Sequence, residues 1–206
     1  MTRRALIAFG MLTVSVGCSS GPPPPSDAEP YTTRVEAARA AKDAAFRAVD
    51  NRYSPVPVAG RASFPGIAYF AIDPASRVPA ALKEARTNPP IIISIPNSAH
   101  ELEQKVKVGS LTFALRGATY TLSAFAEDVT DVERLWVPFR DLTSGVTTYG
   151  GGRYLDLERT STGLYDLDFN AAYHPNCVYD ASWVCPYPPA ENRLPIAIEA
   201  GERLRK

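Results

Sequence analysis

The stretch LTFALRGATYTL, residues 111–122, decides the fold. Leu111, Phe113 and Leu115 alternate with Thr112, Ala114 and Arg116. Beyond Gly117 the alternation resumes, with Tyr120 and Leu122 set against Thr119, Thr121 and Ser123. Period-two alternation on both sides of a glycine predicts a hairpin with one buried and one wet face. Outward from it, short runs rich in β-branched and aromatic residues fall at 66–72 (GIAYFAI), 91–95 (IIISI), 135–139 (LWVPF), 153–158 (RYLDLE), 165–169 (YDLDF) and 194–198 (LPIAI). Such strands, separated by turn residues, predict a mostly β protein, an antiparallel β-barrel or sandwich.

One N-terminal α-helix precedes the strands. Thr33 and Glu36 have the spacing of a capping box. Val35, Ala38, Ala45, Phe46 and Val49 recur at helical intervals, and Pro55 and Pro57 forbid continuation. The helix reads as a lid packed on the sheet, with Asp43 and Arg47 paired on its other face.

Before the helix, the chain reads as an export segment and a tether. Arg3 and Arg4 precede the apolar run Ala5–Val16, which is too short to span a bilayer and ends at Gly17-Cys18-Ser19. That junction resembles a bacterial lipoprotein signal, so residues 1–17 are expected to be removed and Cys18 acylated. An ordinary secretory signal or a buried apolar helix is the alternative. Residues 18–30 hold four consecutive prolines, a polyproline spacer between membrane and domain. Residues 31–206 are expected to form a single β-rich domain.

The whole chain of 206 residues carries 22 basic and 22 acidic side chains, with 45% apolar residues. A zero formal charge without a basic run excludes binding of nucleic acid through phosphate neutralisation. Loss of residues 1–17 removes two positive charges, so acyl chains rather than charge would hold the protein at the membrane. The sequence implies no cofactor and does not fix the oligomeric state.

The chemistry-bearing residues crowd into 136–201. Gly150–Gly152 lead into a strand, whereas a phosphate cradle needs glycines leading into a helix N-terminus. A tight turn aiming Arg153 is the better reading. Arg140 and Arg153 each offer a planar fork to an anion or to a neighbouring carboxylate such as Asp141 or Asp168. On the 165–169 strand Asp166, Asp168 and Asn170 share a face opposite Tyr165, Leu167 and Phe169.

Cysteine parity favours a Cys177–Cys185 disulfide once Cys18 is acylated. His174 with the two cysteines fits no common zinc spacing, and a Cys–His thiol pair stays open as an alternative. No metal is assigned.

FPGIAYFAID (64–73), VPFRDLTSGVTTYGGGRYLDL (137–157), LDFNAAYHPNCVY (167–179) and CPYPPAENRLPIAIEAGE (185–202) resemble the segments of a bacterial and archaeal family, domain of unknown function 1684. The resemblance spans about residues 31–202. It implies that Arg140, Asp141, Tyr149, Gly150–Gly152, Arg153, Asp168, Asn170, Tyr173, Cys177, Cys185, Glu191 and Asn192 occupy the family's characteristic positions, and it implies no activity. Family members more often carry asparagine at the position of His174, and some that look cytoplasmic keep the cysteine pair.

The expectation is therefore an exported envelope lipoprotein binding a small ligand, with an anion as the candidate, or an envelope partner at the loops 140–153 and 170–193. An enzyme using Arg153, Asp168 and the Cys177 thiol is the rival, and a structural lipoprotein without ligand the third reading. Arg153 and Asp168 are expected to be near cross-strand partners at one barrel end, beneath the Cys177–Asn192 loop.

Overall fold

The computed structural model describes residues 30–205, so the expected signal segment, the Cys18 acylation site and the tether up to residue 29 lie outside the described residues. In chain order the elements are α1 (Tyr31–Arg47), a short α2 (Val58–Arg61), β1 (Ala68–Tyr69), β2 (Arg77–Glu84), β3 (Ile91–Pro96), β4 (Leu102–Leu115), β5 (Ala118–Ala126), β6 (Arg134–Phe139), β7 (Arg153–Glu158), β8 (Tyr165–Asp168) and β9 (Glu202–Arg203).

The expected hairpin is β4–β5, with Leu111 paired to Leu122 and Phe113 to Tyr120. Arg116 and Gly117 both take positive φ, 51° and 80°. Two such residues make the primed turn whose twist matches the flanking strands. Leu111, Phe113, Leu115 and Leu122 are buried, while Thr112, Ala114, Thr119 and Thr121 face water.

Antiparallel pairing runs β7-β6-β5-β4-β2-β8. β8 returns to the end of β7 through a bridge between Arg159 and Tyr165, which gives an antiparallel, nearly closed barrel. The long β4 serves two neighbours on one edge: β3 along Leu102–Lys107 and β2 along Gly109–Phe113. Inside, Leu111, Phe113, Leu122, Val137, Phe139, Leu155, Leu167 and Phe169 form one core. The Phe169 ring lies 5.8 Å from Phe113 and 5.4 Å from Phe139. Each such side chain withdrawn from water contributes about 1.5–3 kcal/mol.

Two expected strands need correction. The run 194–198 forms no strand, because Pro195 lacks the ladder donor. It crosses the barrel end instead, burying Leu194, Ile198 and Ala200 against the core. Of 66–72 only Ala68–Tyr69 is a strand, paired with β9. The strand β2 has no strand signal of its own, since RVPAALKE holds a proline and two alanines, all poor strand formers. Pro79 is tolerated because the β4 ladder starts at Ala80.

The helix also differs in its faces. It starts at Tyr31 after Pro30 with no side-chain cap, so the capping-box spacing of Thr33 and Glu36 falls inside it. Ala45 and Val49 of the expected apolar stripe are exposed, and α1 buries none of its residues. Toward its end, Phe46 meets Tyr179 at 5.1 Å and Phe64 at 6.0 Å.

Candidate functional site

Register puts the start of β7 and the end of β8 at the same end of the barrel, as expected. Strand parity then separates Arg153 from Asp168. Arg153 shares the inward face of β7 with Leu155 and Leu157, whereas Asp168 shares the outward face of β8 with Asp166, opposite Leu167. Their Cα partners are Phe139 and Arg77, not each other.

Inside the barrel end Arg153 makes a clasp. Its Nη2 donates to Asp141 Oδ2 and to the Ile198 carbonyl, both at 2.7 Å. Its Nη1 donates to the carbonyls of Ala200 and, at 3.1 Å, Glu202. The side chains of Arg153 and Asp141 are 1% and 0% exposed. Asp141 Oδ1 accepts from the Thr143 backbone N–H at 2.6 Å and from the Thr143 hydroxyl. Burial lowers the Arg153 pKa, and Asp141 opposes the shift. A planar fork bonding three carbonyls and a carboxylate pins the tail 198–202 to β7, and no ligand face is left.

The neighbouring predicted residues are struts of the same assembly. Asn192 is fully buried; its Oδ1 accepts from Ser123 N at 2.7 Å, and its Nδ2 donates to the carbonyls of Ser123 (2.8 Å) and Pro138 (2.7 Å). Glu191 accepts from the Ser123 hydroxyl at 3.3 Å and stands 3.5 Å from Lys107. The Arg140 backbone pairs with Asn192 and Leu194, and its guanidinium lies 5.4 Å from the Tyr187 ring centroid. Gly152 has φ +97°, and a Cβ there would meet the Phe139 carbonyl at 2.6 Å and Pro188 at 2.7 Å. The glycine run thus lets the 185–189 segment press onto the barrel.

The 170–193 loop is stapled by a Cys177–Cys185 disulfide across a Cα separation of 6.1 Å. That leaves no Cys177 thiolate for catalysis and removes two of the three proposed zinc ligands. His174 is occupied as well: its Nε2 accepts from Tyr149 N at 3.2 Å and its backbone N–H donates to Glu202 Oε2 at 2.8 Å. Burial, with Arg153 and Lys42 adding, lowers its pKa to about 3, so the ring is neutral. Among the described residues no group of three His, Cys, Asp or Glu side chains is placed to hold a metal.

Glu202, which the sequence did not single out, is the hub here. Its side chain is 1% exposed and accepts from Lys42 Nζ at 2.7 Å and Tyr179 Oη at 2.8 Å. Burial and Glu202 push the Tyr179 phenol up. Tyr173 donates to Asp156 at 2.8 Å, and Lys42 lies over its ring at 4.7 Å.

A cavity of about 280 Å³ opens between α1 and the barrel wall. From the helix it is lined by Tyr31, Arg34, Val35, Ala38, Arg39 and Lys42, one stripe at helical spacing. The wall opposite supplies Tyr69, Asp166, Asp168, Asn170, Ala171 and Glu202. Tyr31 donates to both Asp168 oxygens at 2.9 Å, and burial together with Asp168 raises its pKa. Asn170 is clamped to the Asp73 backbone, with Asp73 N donating to its Oδ1 at 2.9 Å and its Nδ2 donating to Asp73 O at 2.7 Å. Arg39 sits 4.4 Å over the Tyr69 ring and donates only to the carbonyls of Phe70 (3.0 Å) and Asn170 (3.4 Å). Among the described residues, its Nε and the Tyr69 hydroxyl are buried without a hydrogen-bond partner.

Of the predicted ligand residues, Asp168 and Asn170 line this groove. Arg140, Asp141, Tyr149, Arg153, Glu191 and Asn192 do not line it, and Tyr173 lies beneath Lys42. The helix side was missed because α1 was read through its apolar residues. The signal available was the spacing of Tyr31, Val35, Arg39 and Lys42.

A family model described as protein of unknown function (DUF1684) matches residues 62–203, which hold the barrel but not α1. No curated protein matches the chain. Among solved structures, the chain is similar to the solution NMR structure of an uncharacterized protein of Haloarcula marismortui. The two share 38% identity and a TM-score of 0.63, over 84% of this chain and 93% of that one.

Proposed function

The chain belongs to the DUF1684 family, and from that premise we propose a lipid-anchored cell-envelope protein that binds a small acid-bearing ligand in the groove beneath α1. One observation carries the reading: a 17-residue helix buries none of its residues, and its barrel-facing stripe lines a cavity instead of a packed core. A surface helix normally closes such a gap with its apolar face. Here polar bonds at Asp168, Phe70 and Glu202 hold the helix off the wall. Arg39 lines that cavity half-buried, and its guanidinium supplies the fork that an acid group takes.

The anchor rests on the sequence before residue 30, with Cys18 acylated and the proline spacer behind it. A disulfide in the domain suits the oxidising compartment that export provides.

Native mass spectrometry of the full chain, purified without denaturant, tests the groove. Wild type is expected to carry a small-molecule adduct that Arg39→Met loses. A wild-type mass of acylated polypeptide alone, unchanged after incubation with a small-molecule cell extract, overturns the reading. For the anchor, Cys18→Ser is expected to leave the membrane fraction; retention after a high-salt wash refutes acylation.

A further inference from the structure

We infer that the groove's ligand is a zwitterion of the α-amino-acid type, its ammonium on Asp168 and its carboxylate on Arg39. The inference rests on the groove reading above and deepens it to a ligand class. The charges around the groove are not equally satisfied. Asp166 takes the Arg77 guanidinium at 2.6–2.9 Å, and Glu202 takes Lys42 at 2.7 Å. Asp168 receives neutral donors instead, the Tyr31 hydroxyl and the backbone and side-chain N–H groups of Asn170 at 2.9 and 3.1 Å. Among the described residues no cation stands within 4 Å of Asp168, and no carboxylate within 4 Å of Arg39.

These two charges are held apart by one residue. Asn170 gives its N–H and Nδ2 to Asp168 and its carbonyl to Arg39. Opposite charges so near, each on neutral partners, form a fixed dipole across the groove. An acid alone would satisfy Arg39 and face the Asp168 carboxylate; an amine alone would leave Arg39 without its anion. A molecule carrying an ammonium and a carboxylate close together satisfies both through charge-assisted hydrogen bonds. Asp168 Oδ2 accepts only the shared Tyr31 hydroxyl, so it keeps room for an ammonium donor. Val35, Ala38 and Ala171 give the remainder of the lining an aliphatic character suited to an apolar side chain.

The test is isothermal titration of the full chain with L-leucine, N-acetyl-L-leucine and L-leucinamide. Leucine is expected to bind roughly ten- to a hundredfold more tightly than either analogue, the range of one charged hydrogen bond. Asp168→Asn keeps the acceptor for the Asn170 N–H and removes the charge. It is expected to weaken leucine, which loses its ammonium partner, and to tighten N-acetyl-leucine, which no longer faces a carboxylate, so that the two bind alike. Equal binding of leucine and N-acetyl-leucine by wild type overturns the zwitterion and leaves the acid-binding groove standing. Equal binding of leucinamide and leucine removes the role of Arg39 and overturns it too. No binding by any of the three also overturns the inference, and the groove reading is then judged separately by the adduct in native mass spectrometry.

Discussion

Arg153 and Arg39 are both drawn out of bulk water at the same end of the barrel, and the fold treats them differently. Arg153 is enclosed, with a buried carboxylate on one side and three carbonyls of the C-terminal tail around it. Arg39 is half-buried, bonded to two carbonyls, and keeps an Nε–H without a partner. A buried charge is tolerated when its geometry is complete, and breaking it is then costly. Arg39 differs in lying on the wall of a cavity, where a ligand can reach its guanidinium. The comparison separates the residues that hold the tail to the barrel from the residues that face a ligand.

The strongest way to break the comparison is Arg153→Gln. It leaves Asp141 in the interior without a counter-ion and cuts the tail's bonds to β7, so unfolding free energy in urea is expected to fall by about 3–5 kcal/mol. The transition temperature should drop by roughly 10 °C or more for a domain of this size. A loss under about 1 kcal/mol would show that the clasp is not structural.

Next comes the staple on the same side. Replacing Cys177 and Cys185 by serine opens a loop of sequence separation 8, and the chain-entropy relation gives a loss of about 2.5 kcal/mol. Ligand binding in the groove should survive it at temperatures where the variant is folded. Loss of binding with the fold intact would place the loop in the site after all.

His174 gives the comparison a pH dependence. Its pKa is about 3 in the fold against 6.5 for the free side chain, so the unfolded chain binds a proton that the folded one refuses. Stability is full above pH 6.5 and is lost as pH falls from there toward 3, by about 2 kcal/mol between pH 7 and pH 5. His174→Asn should flatten that part of the profile. An unchanged slope would assign it to other groups, with Glu202, Tyr179, Lys42 and Arg153 the charged and titratable neighbours.

How much of this was legible in the sequence depends on the range of the cause. The β4–β5 hairpin was readable because alternation and turn chemistry are local and agree. β2 was not, because its residues disfavour a strand and its pairing is imposed by β4 and β8 from far along the chain. Arg153 stood out, and RYLDLE already placed it on the same parity as Leu155 and Leu157, the core face. Asp168 and Asn170 were found from their shared face. Tyr31 and Arg39 were not, because their partners lie 31–137 residues away and nothing in a helix names its distant wall.

The smallest expected change in stability, and the sharpest test, is Arg39→Met. The methionine keeps an unbranched apolar stem over the Tyr69 ring. It removes two hydrogen bonds to carbonyls, one of them long at 3.4 Å, a loss of about 1–3 kcal/mol in total. It also removes a buried donor with no partner, and leaving such a donor unmade costs a similar 1–3 kcal/mol. The two effects oppose each other, so stability should change by no more than about 1 kcal/mol, in either direction. Binding has no such cancellation, since the acid group of the ligand loses its fork, and the adduct should vanish. Urea unfolding and native mass spectrometry on the same preparation read the two quantities together. Should Arg39→Met destabilise as much as Arg153→Gln, Arg39 is a second strut, the unpartnered Nε–H has another cause, and the division between the two arginines fails.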